Sequence, residues 1–567
     1  MLSVESREGA DRMAVLKTTA DCKLEWLCSF RAGYVLIGAL GLIHTWAGRH
    51  YMNPDGVSYL DIGDAYFRGD WALAINSYWS PLYSWLMGAA LAIFQPSAFW
   101  EFAFVHLVNF AIFLGALACF EFFLRALTDW SEKAAGQSGR QTLPKWPLRV
   151  LGYSLFTWSS LDLITIQTVT PDMLVAGFAY LAAGLVLRSR CAPAKWTNVV
   201  ALGVVLGVGY MAKTAMLPVA LVFVAVVAMG ENPARLKLLR GLVALMSLAV
   251  VAAPWVTVLS LTKGRLTVGD AGKLNYCWFV DSKADYLKNP PRRLLEDPPI
   301  IEFGTTVGGS NPRTYDPSYW WEGLRPSFNL RKQLNVIGRS ALECYKLFVE
   351  QMGVLLVGAV IMWITIRRQT AALRLAIFGQ AGVLIPALAA IVVYGLVQFE
   401  TRYVGAYVVL IWMSLFGSLW VAGAAARRRL FEVVVLGMVM GMAMMIAVSA
   451  FRAVGRERRL AEHPQWQVAN ELRALGVCEG DEVGYIGEDD AGPWVRLARV
   501  RIVAEMKPQN ERWMFDESLR SKVRQAFQDS GAKVIVAHKD CSRFPEGGWR
   551  RLGSADYFAF LVPQQRR

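Results

Sequence analysis

Asn53-Pro54-Asp55-Gly56-Val57-Ser58-Tyr59-Leu60-Asp61-Ile62-Gly63-Asp64 follows directly on the first apolar segment of the chain, and the polar sequence continues past Asp70 to Ser80-Pro81-Leu82-Tyr83. Asp55, Asp61, Asp64 and Asp70 therefore stand beside a hydrophobic span. A carboxylate at the centre of a bilayer costs about 2.5 to 3.5 kcal/mol, so these four require water or a polar cavity at the membrane edge. After Gly56, Asp61, Asp64 and Arg68 recur at helical spacing while Val57, Tyr59, Leu60 and Phe67 supply apolar contact, which predicts a short helix along the interface. Asp55 has two readings: the N-cap of that helix, or a functional carboxylate. For Asp61 and Asp64 the plain reading is a solvated face with an Asp64 to Arg68 pair.

The chain around this stretch has 567 residues, 55% of them hydrophobic, and a mean hydropathy of +0.34. That is more apolar sequence than a soluble domain buries, and it falls in blocks long enough to span a bilayer. The class is a polytopic α-helical membrane protein. After a first block at 32–48, the others run at 99–120, 148–163, 171–187, 197–212, 214–229, 239–260, 349–366, 374–398, 403–424 and 430–450, predicting about eleven transmembrane helices. No small-residue cleavage site follows the first block, so it reads as a retained helix.

Alternate loops differ in charge. Arg125, Lys133, Arg140, Lys145 and Arg149 share one side with Arg188, Arg190 and Lys195, with Arg235, Lys237 and Arg240, with Arg367, Arg368 and Arg374, and with Arg427, Arg428 and Arg429. The short loops opposite hold Lys213 and Arg402. The positive-inside rule puts the clusters and residues 1–31 in the cytoplasm, and it accounts for the net charge of +14 without a nucleic-acid partner. Residues 81–95 would span only about 22 Å as a helix, short of the roughly 30 Å hydrocarbon core, so they are expected to insert without crossing. The C-terminus then lies outside. The eight cysteines follow no C-x-x-C spacing, and disulfides among Cys277, Cys344, Cys478 and Cys541 stay open.

Four features converge on the outer face: the Asp55 loop, Thr168-Val169-Thr170-Pro171-Asp172, Gly209-Tyr210-Met211-Ala212-Lys213-Thr214, and Gln398-Phe399-Glu400-Thr401-Arg402-Tyr403. Each alone is most simply a helix terminus with a snorkelling or dipole-compensating charge. After residue 450, helices at 467–475 and 522–529 alternate with strands at 482–486, 500–504, 533–537 and 556–561, predicting a small α/β domain over 451–567. Its Gly484-Tyr485-Ile486-Gly487 lacks the third glycine of a phosphate loop, and Asp489-Asp490 reads as a turn.

An acidic motif after the first transmembrane helix, a juxtamembrane helix, the Pro81-Leu82-Tyr83 approach to the next helix, a Thr-Pro-Asp turn, an outer Lys213 and a late Arg402-Tyr403 together resemble the C-type glycosyltransferase superfamily (GT-C). That superfamily includes protein O-mannosyltransferases and the aminoarabinose transferase of lipid A. Many members carry two adjacent acidic residues where this chain has Asp55-Gly56. The resemblance covers roughly residues 30 to 450 and implies a GT-C-like transmembrane domain over 32–450 with outer loops at 50–80 and 261–345. It implies a sugar donor linked to polyprenyl phosphate, an acceptor that is a glycan, a lipid or a protein, and Asp55 in the place of the catalytic carboxylate, with inversion at the anomeric carbon.

The leaving phosphate needs fixed positive charge, for which Lys213, Arg402 and Arg265 are the candidates. Asp61, Asp172 and Glu400 are candidates for positioning the acceptor or a metal. No cofactor is required; a divalent metal remains open, since no His/Asp/Glu ligand spacing stands out and His44, His50 and His106 read as packing residues. The aromatic and basic content of the 261–345 loop suits sugar stacking and phosphate contact, or equally a tryptophan belt at the interface. The expected location is the bacterial inner membrane, with the catalytic face and C-terminal domain extracytoplasmic. The alternative is a transporter or flippase of a lipid-linked sugar, in which the outer charges line a pathway; a noncatalytic scaffold is the third class.

Overall fold

The structure is a computed structural model describing residues 30–137, 144–192, 194–229, 233–423, 427–460, 462–488, 490–507, 512–538, 548–554 and 556–563. The expected cytoplasmic segment up to residue 29, with Cys22 and Cys28, lies outside the described residues, as do Asp489 and Cys541. Cys119, Cys191, Cys277, Cys344 and Cys478 are free thiols.

All eleven apolar blocks lie on helices: Phe30–Ala47, Glu101–Gln137, Trp146–Trp158 with a π-helical turn Ser159–Leu163, Asp172–Cys191, Thr197–Ala212, Met216–Val227, Ala234–Lys263, Gly353–Ile366, Thr370–Gly395, Thr401–Ala422 and Arg428–Leu460. Six helices among the described residues are long and apolar enough to cross a membrane alone, and a seventh span arises if Leu330–Gln351 and Gly353–Ile366, bent by 73°, count as one. Two of the shorter blocks have a local cause in the middle of the chain. Thr197–Ala212 and Met216–Val227 are short because the chain turns extended at Lys213, with φ −158° and ψ 124°.

The interface helix forms as Pro54–Arg68 and ends at Gly69 in the left-handed conformation, φ 78°. Asn53 stands at the N-cap position and Pro54 opens the helix, so Asp55 sits in the first turn and does not cap it. The Asn53 side chain faces away from its own helix: its Oδ1 accepts from the Val169 amide at 2.8 Å, tying the start of this helix to the turn before Asp172. Gly56 is wedged at the same contact. A Cβ there would lie 2.6 Å from Met52 Sδ and 2.8 Å from Val169 Cβ, so a second acidic side chain has no room beside Asp55.

Helix Pro81–Phe94 packs on this helix backbone to backbone. A Cβ on Gly63 would approach Ser84 O to 2.8 Å and Gly88 Cα to 3.0 Å. With 14 residues it is too short to cross a roughly 30 Å core. Its flanks meet one polar layer. Ser80 Oγ accepts from the Thr214 amide at 3.0 Å, and Glu101, just past its end, joins Asp61 and Asp64 around Arg496.

The α/β unit is built on a seven-stranded sheet: β1 Arg292–Leu295, β2 Ile300–Glu302, β3 Glu482–Ile486, β4 Arg501–Met506, β5 Val534–His538, β6 Trp549–Arg551 and β7 Tyr557–Leu561. The order is β1-β2-β4-β3-β5-β7-β6. The β4-β3-β5 core is parallel and the flanking pairs are antiparallel. Two strands thus come from the long polar segment inside 261–345, so the sheet is assembled from two distant parts of the chain. Alternation sorts its side chains. Val534 and Val536 join a core shared with Tyr59, Leu60, Tyr83, Phe102 and Trp494, while Ile535 and Ala537 face Val523 and Phe527 of helix Glu517–Asp529. The first of these cores runs unbroken from the interface helix into the sheet, so the α/β unit packs directly on the helix that carries Asp55.

Candidate active site

Lys213 leaves the end of its helix with its backbone extended, which frees the side chain to reach sideways. Its Nζ lies 2.6 Å from Asp172 Oδ1 and 3.6 Å from the centre of the Tyr403 ring. Asp172 is the first residue of its helix, where the helix dipole favours a carboxylate. Thr170 Oγ1 donates to its Oδ2 at 3.0 Å, and Arg402 Nη1 stands 3.8 Å away. Asp172 is 3% exposed and is bridged by two cations. Arg402 Nη2 in turn lies 3.4 Å from Asp55 Oδ2 and donates to Tyr403 Oη at 3.1 Å. Asp55, at 38% exposure, is the accessible carboxylate of the pair.

Asp55, Asp172, Lys213 and Arg402 line one cavity of about 550 Å³, together with Tyr59, Tyr78, Trp79 and Tyr403. Part of its wall is apolar: Leu217, Pro218, Val268, Phe279, Val393 and Val397. Burial and the nearby Asp55 charge raise the Tyr78 and Tyr59 hydroxyls far above the usual tyrosine value, so both stay neutral. The cavity thus combines three cations, Lys213, Lys273 and Arg402, with one solvent-reachable carboxylate, neutral hydroxyls and an apolar flank.

The remaining candidates lie elsewhere. Arg265 is held by Asp270, with Nη2 at 2.6 Å and 2.7 Å from its two carboxylate oxygens, and does not line the cavity. Lys273 of the same loop lines it instead and pairs with Asp270 at 3.2 Å. Burial pushes the Asp270 carboxyl up, but hydrogen bonds from Arg265 and Ser77 and the Lys273 charge outweigh it and hold the group below the usual carboxylate range. Glu400 accepts from Gln398 Nε2 at 3.2 Å, away from the cavity lining.

Asp61 is buried, not on the solvated face expected. It accepts from Arg496 Nη1 at 2.5 Å and from the Ser310 amide at 2.6 Å. Burial raises its carboxyl against the pull of Arg496. Asp64 also faces Arg496, at 3.0 Å. Among the described residues no group of three or more His, Cys, Asp or Glu side chains is placed to hold a metal ion; Asp55 and Asp172 each face a cation instead.

Lys273, Tyr78, Trp79 and Tyr403 escaped the sequence reading as lining residues. Tyr403 adjoins Arg402 in the motif already singled out, and Tyr78-Trp79 lies in the loop after Asp55. Lys273 carries no local signal beyond being a cation in a polar loop.

No family model and no curated protein sequence matches the chain. Among solved structures, ArnT from Cupriavidus metallidurans is similar both in the apo state, at 14% identity and a TM-score of 0.51, and bound to undecaprenyl phosphate, at 13% identity and a TM-score of 0.52. Each alignment covers 95% of this chain and 100% of ArnT. The Archaeoglobus fulgidus oligosaccharyltransferase in its apo form matches at 12% identity and a TM-score of 0.50, over 90% of this chain and 69% of that one. The chain therefore has the fold of the C-type glycosyltransferases, the fold expected from its motifs.

Proposed function

We propose that this protein is a membrane glycosyltransferase that moves a sugar from a polyprenyl-phosphate carrier to an acceptor hydroxyl at the extracytoplasmic face of a bacterial inner membrane. The observation that carries the reading is the meeting of Asp55, Lys213 and Arg402, from three distant segments, in one cavity with an apolar flank. A lipid-linked donor must keep its chain in lipid while its phosphate sits in a polar pocket, and this wall offers both surfaces. Donors of this type also fit the fold, since the similar ArnT structure is described as bound to undecaprenyl phosphate.

In the reaction, Asp55 accepts the proton of the acceptor hydroxyl as its oxygen attacks the anomeric carbon. The bond from that carbon to the phosphate oxygen breaks, and its electron pair leaves with the carrier phosphate. Lys213 and Arg402 balance the charge developing there, and Asp172 holds the two cations in place. The products are the glycoside, with inverted configuration, and the polyprenyl phosphate.

The test separates binding from chemistry. Purified wild-type protein and Asp55→Asn are compared for undecaprenyl phosphate binding by native mass spectrometry, and cells carrying each are compared for surface glycans and glycolipids. The expected result is retained lipid binding with transfer reduced about 10²- to 10⁴-fold, the usual contribution of a positioned base. Undiminished transfer removes Asp55 from its role.

A further inference from the structure

Asp55 also lines a second cavity, of about 460 Å³, on which Tyr78 and Trp79 form the shared wall. We propose that this second cavity seats a neutral sugar ring, so that the acceptor glycosylated by this protein is a carbohydrate. The inference rests on the assignment of Asp55 as the base.

The lining brings together Trp79, Trp278 and Trp321 with Tyr78. The polar edges of three of these rings are already used within the protein. Trp79 Nε1 donates to Thr314 O at 3.0 Å, Trp321 Nε1 to Ala284 O at 2.9 Å and Tyr78 Oη to Asn275 Oδ1 at 3.0 Å. The rings meet edge-on or tilted, with Tyr78 on Trp79 at 85°, Trp278 on Trp321 at 77° and Tyr78 on Trp278 at 48°. Trp321 has one face stacked on Tyr286 at 26°; the four lining rings do not stack on one another, and they carry negative π faces. The C–H face of a pyranose, with its partial positive charge, is the complementary surface. A pocket with such walls and a few polar groups at fixed points is built for a small ring.

The charged groups select against an anion. Arg313 is engaged by Glu505 at 3.1 Å, Lys283 by Asp281 at 2.8 Å, and Asp490 adds a further negative charge to the lining. Each cation is already balanced, and the lining sets two cations against the two carboxylates Asp55 and Asp490, whereas the first cavity sets Lys213, Lys273 and Arg402 against Asp55 and Asp172. Carboxylate and guanidinium side by side suit hydroxyl groups, which both donate and accept. Asp490 belongs to the α/β unit, which thereby forms part of the acceptor wall.

The experiment uses the full-length protein in lipid nanodiscs with undecaprenyl phosphate present. Saturation-transfer NMR is run with methyl glucoside, methyl galactoside, methyl mannoside and methyl N-acetylglucosaminide, and with glucose 6-phosphate as the anionic counterpart. At least one neutral glycoside is expected to bind; Trp278→Ala weakens it about tenfold, the loss of one good aromatic contact, and Trp278→Phe restores it. Undecaprenyl phosphate binding stays unchanged in Trp278→Ala, which also reports that the variant is folded. The proposal is overturned if no neutral glycoside binds the wild type, if Trp278→Ala leaves binding intact, or if glucose 6-phosphate binds more tightly than methyl glucoside. Wild-type protein that binds glycosides but not undecaprenyl phosphate would refute the donor assignment and leave the sugar site standing.

Discussion

Lys213 occupies the point where a helix stops, and its ammonium is shared between a buried carboxylate and an aromatic face. That arrangement keeps a flexible side chain ordered without consuming its ability to meet a phosphate. Lys213→Met is expected to lower sugar transfer about 10²- to 10³-fold, as removal of one charge-stabilising donor does elsewhere. It also leaves Asp172 buried without its nearest cation, so the melting temperature should fall alongside; Lys213→Arg should recover most of the stability. At the same scale, His463 is 1% exposed and stacks on His50 with ring centres 4.1 Å apart. Burial, and then the neighbouring His50, lower its pKa to about 3. Unfolded His463 therefore binds a proton below about pH 6.5 that the folded form refuses, so its contribution is present above that pH and is lost as pH falls toward 3. Thermal stability should decline between pH 7 and pH 5, and His463→Phe should flatten that decline; an unchanged slope would place its origin elsewhere.

At the scale of elements, the interface helix and helix Pro81–Phe94 meet through Gly63 and Gly88 with no side chain between them. Gly88→Leu forces the helices apart and is expected to cost about 1 to 3 kcal/mol, read as a lower melting temperature, with loss of activity because Asp55 rides on the displaced helix. Gly56→Asp, which would restore the adjacent acidic pair of many superfamily members, is expected to destabilise through Met52 and Val169 and not to raise activity. The helices themselves were legible because length and hydropathy are local properties, and the strands of the α/β unit because their alternation is local too. Strands β1, β2 and β6 were not: Trp549–Arg551 is only three residues long, and Ile300 to Glu302 pair with Ala504 to Met506, a distant partner that no short-range pattern reports. Lys273 went unnoticed and Arg265 was named instead, since no local pattern reports that Lys273 lines the cavity while Arg265 is held by Asp270 outside it.

Across the whole molecule, Arg496 joins the α/β unit to the helix that carries the catalytic candidate. Asp61, Asp64 and Glu101 surround its guanidinium at 2.5 to 3.0 Å, with Arg499 also bonded to Glu101. Asp61 and Arg496 are 435 residues apart in sequence, which is why the periodicity around Asp61 suggested only a solvated face. Arg496→Met leaves the buried Asp61 without its cation, while Arg499 still faces Glu101 and Asp64, and is expected to cost about 3 to 5 kcal/mol of docking energy. Hydrogen exchange should then quicken in Trp494–Ala498 and in Pro54–Arg68 together, while the transmembrane helices keep their protection. Exchange confined to the α/β unit would show that the two are not coupled.

The account depends most on the cavity that gathers Asp55, Lys213 and Arg402, and an electron cryomicroscopy structure of the protein with undecaprenyl phosphate tests it directly. The phosphate is expected within hydrogen-bonding distance of Lys213 and Arg402, with the prenyl chain along Leu217, Pro218 and Val397 and Asp55 facing the phosphate from the side of Tyr78 and Trp79. A phosphate seated away from both cations, with this cavity empty, would contradict it.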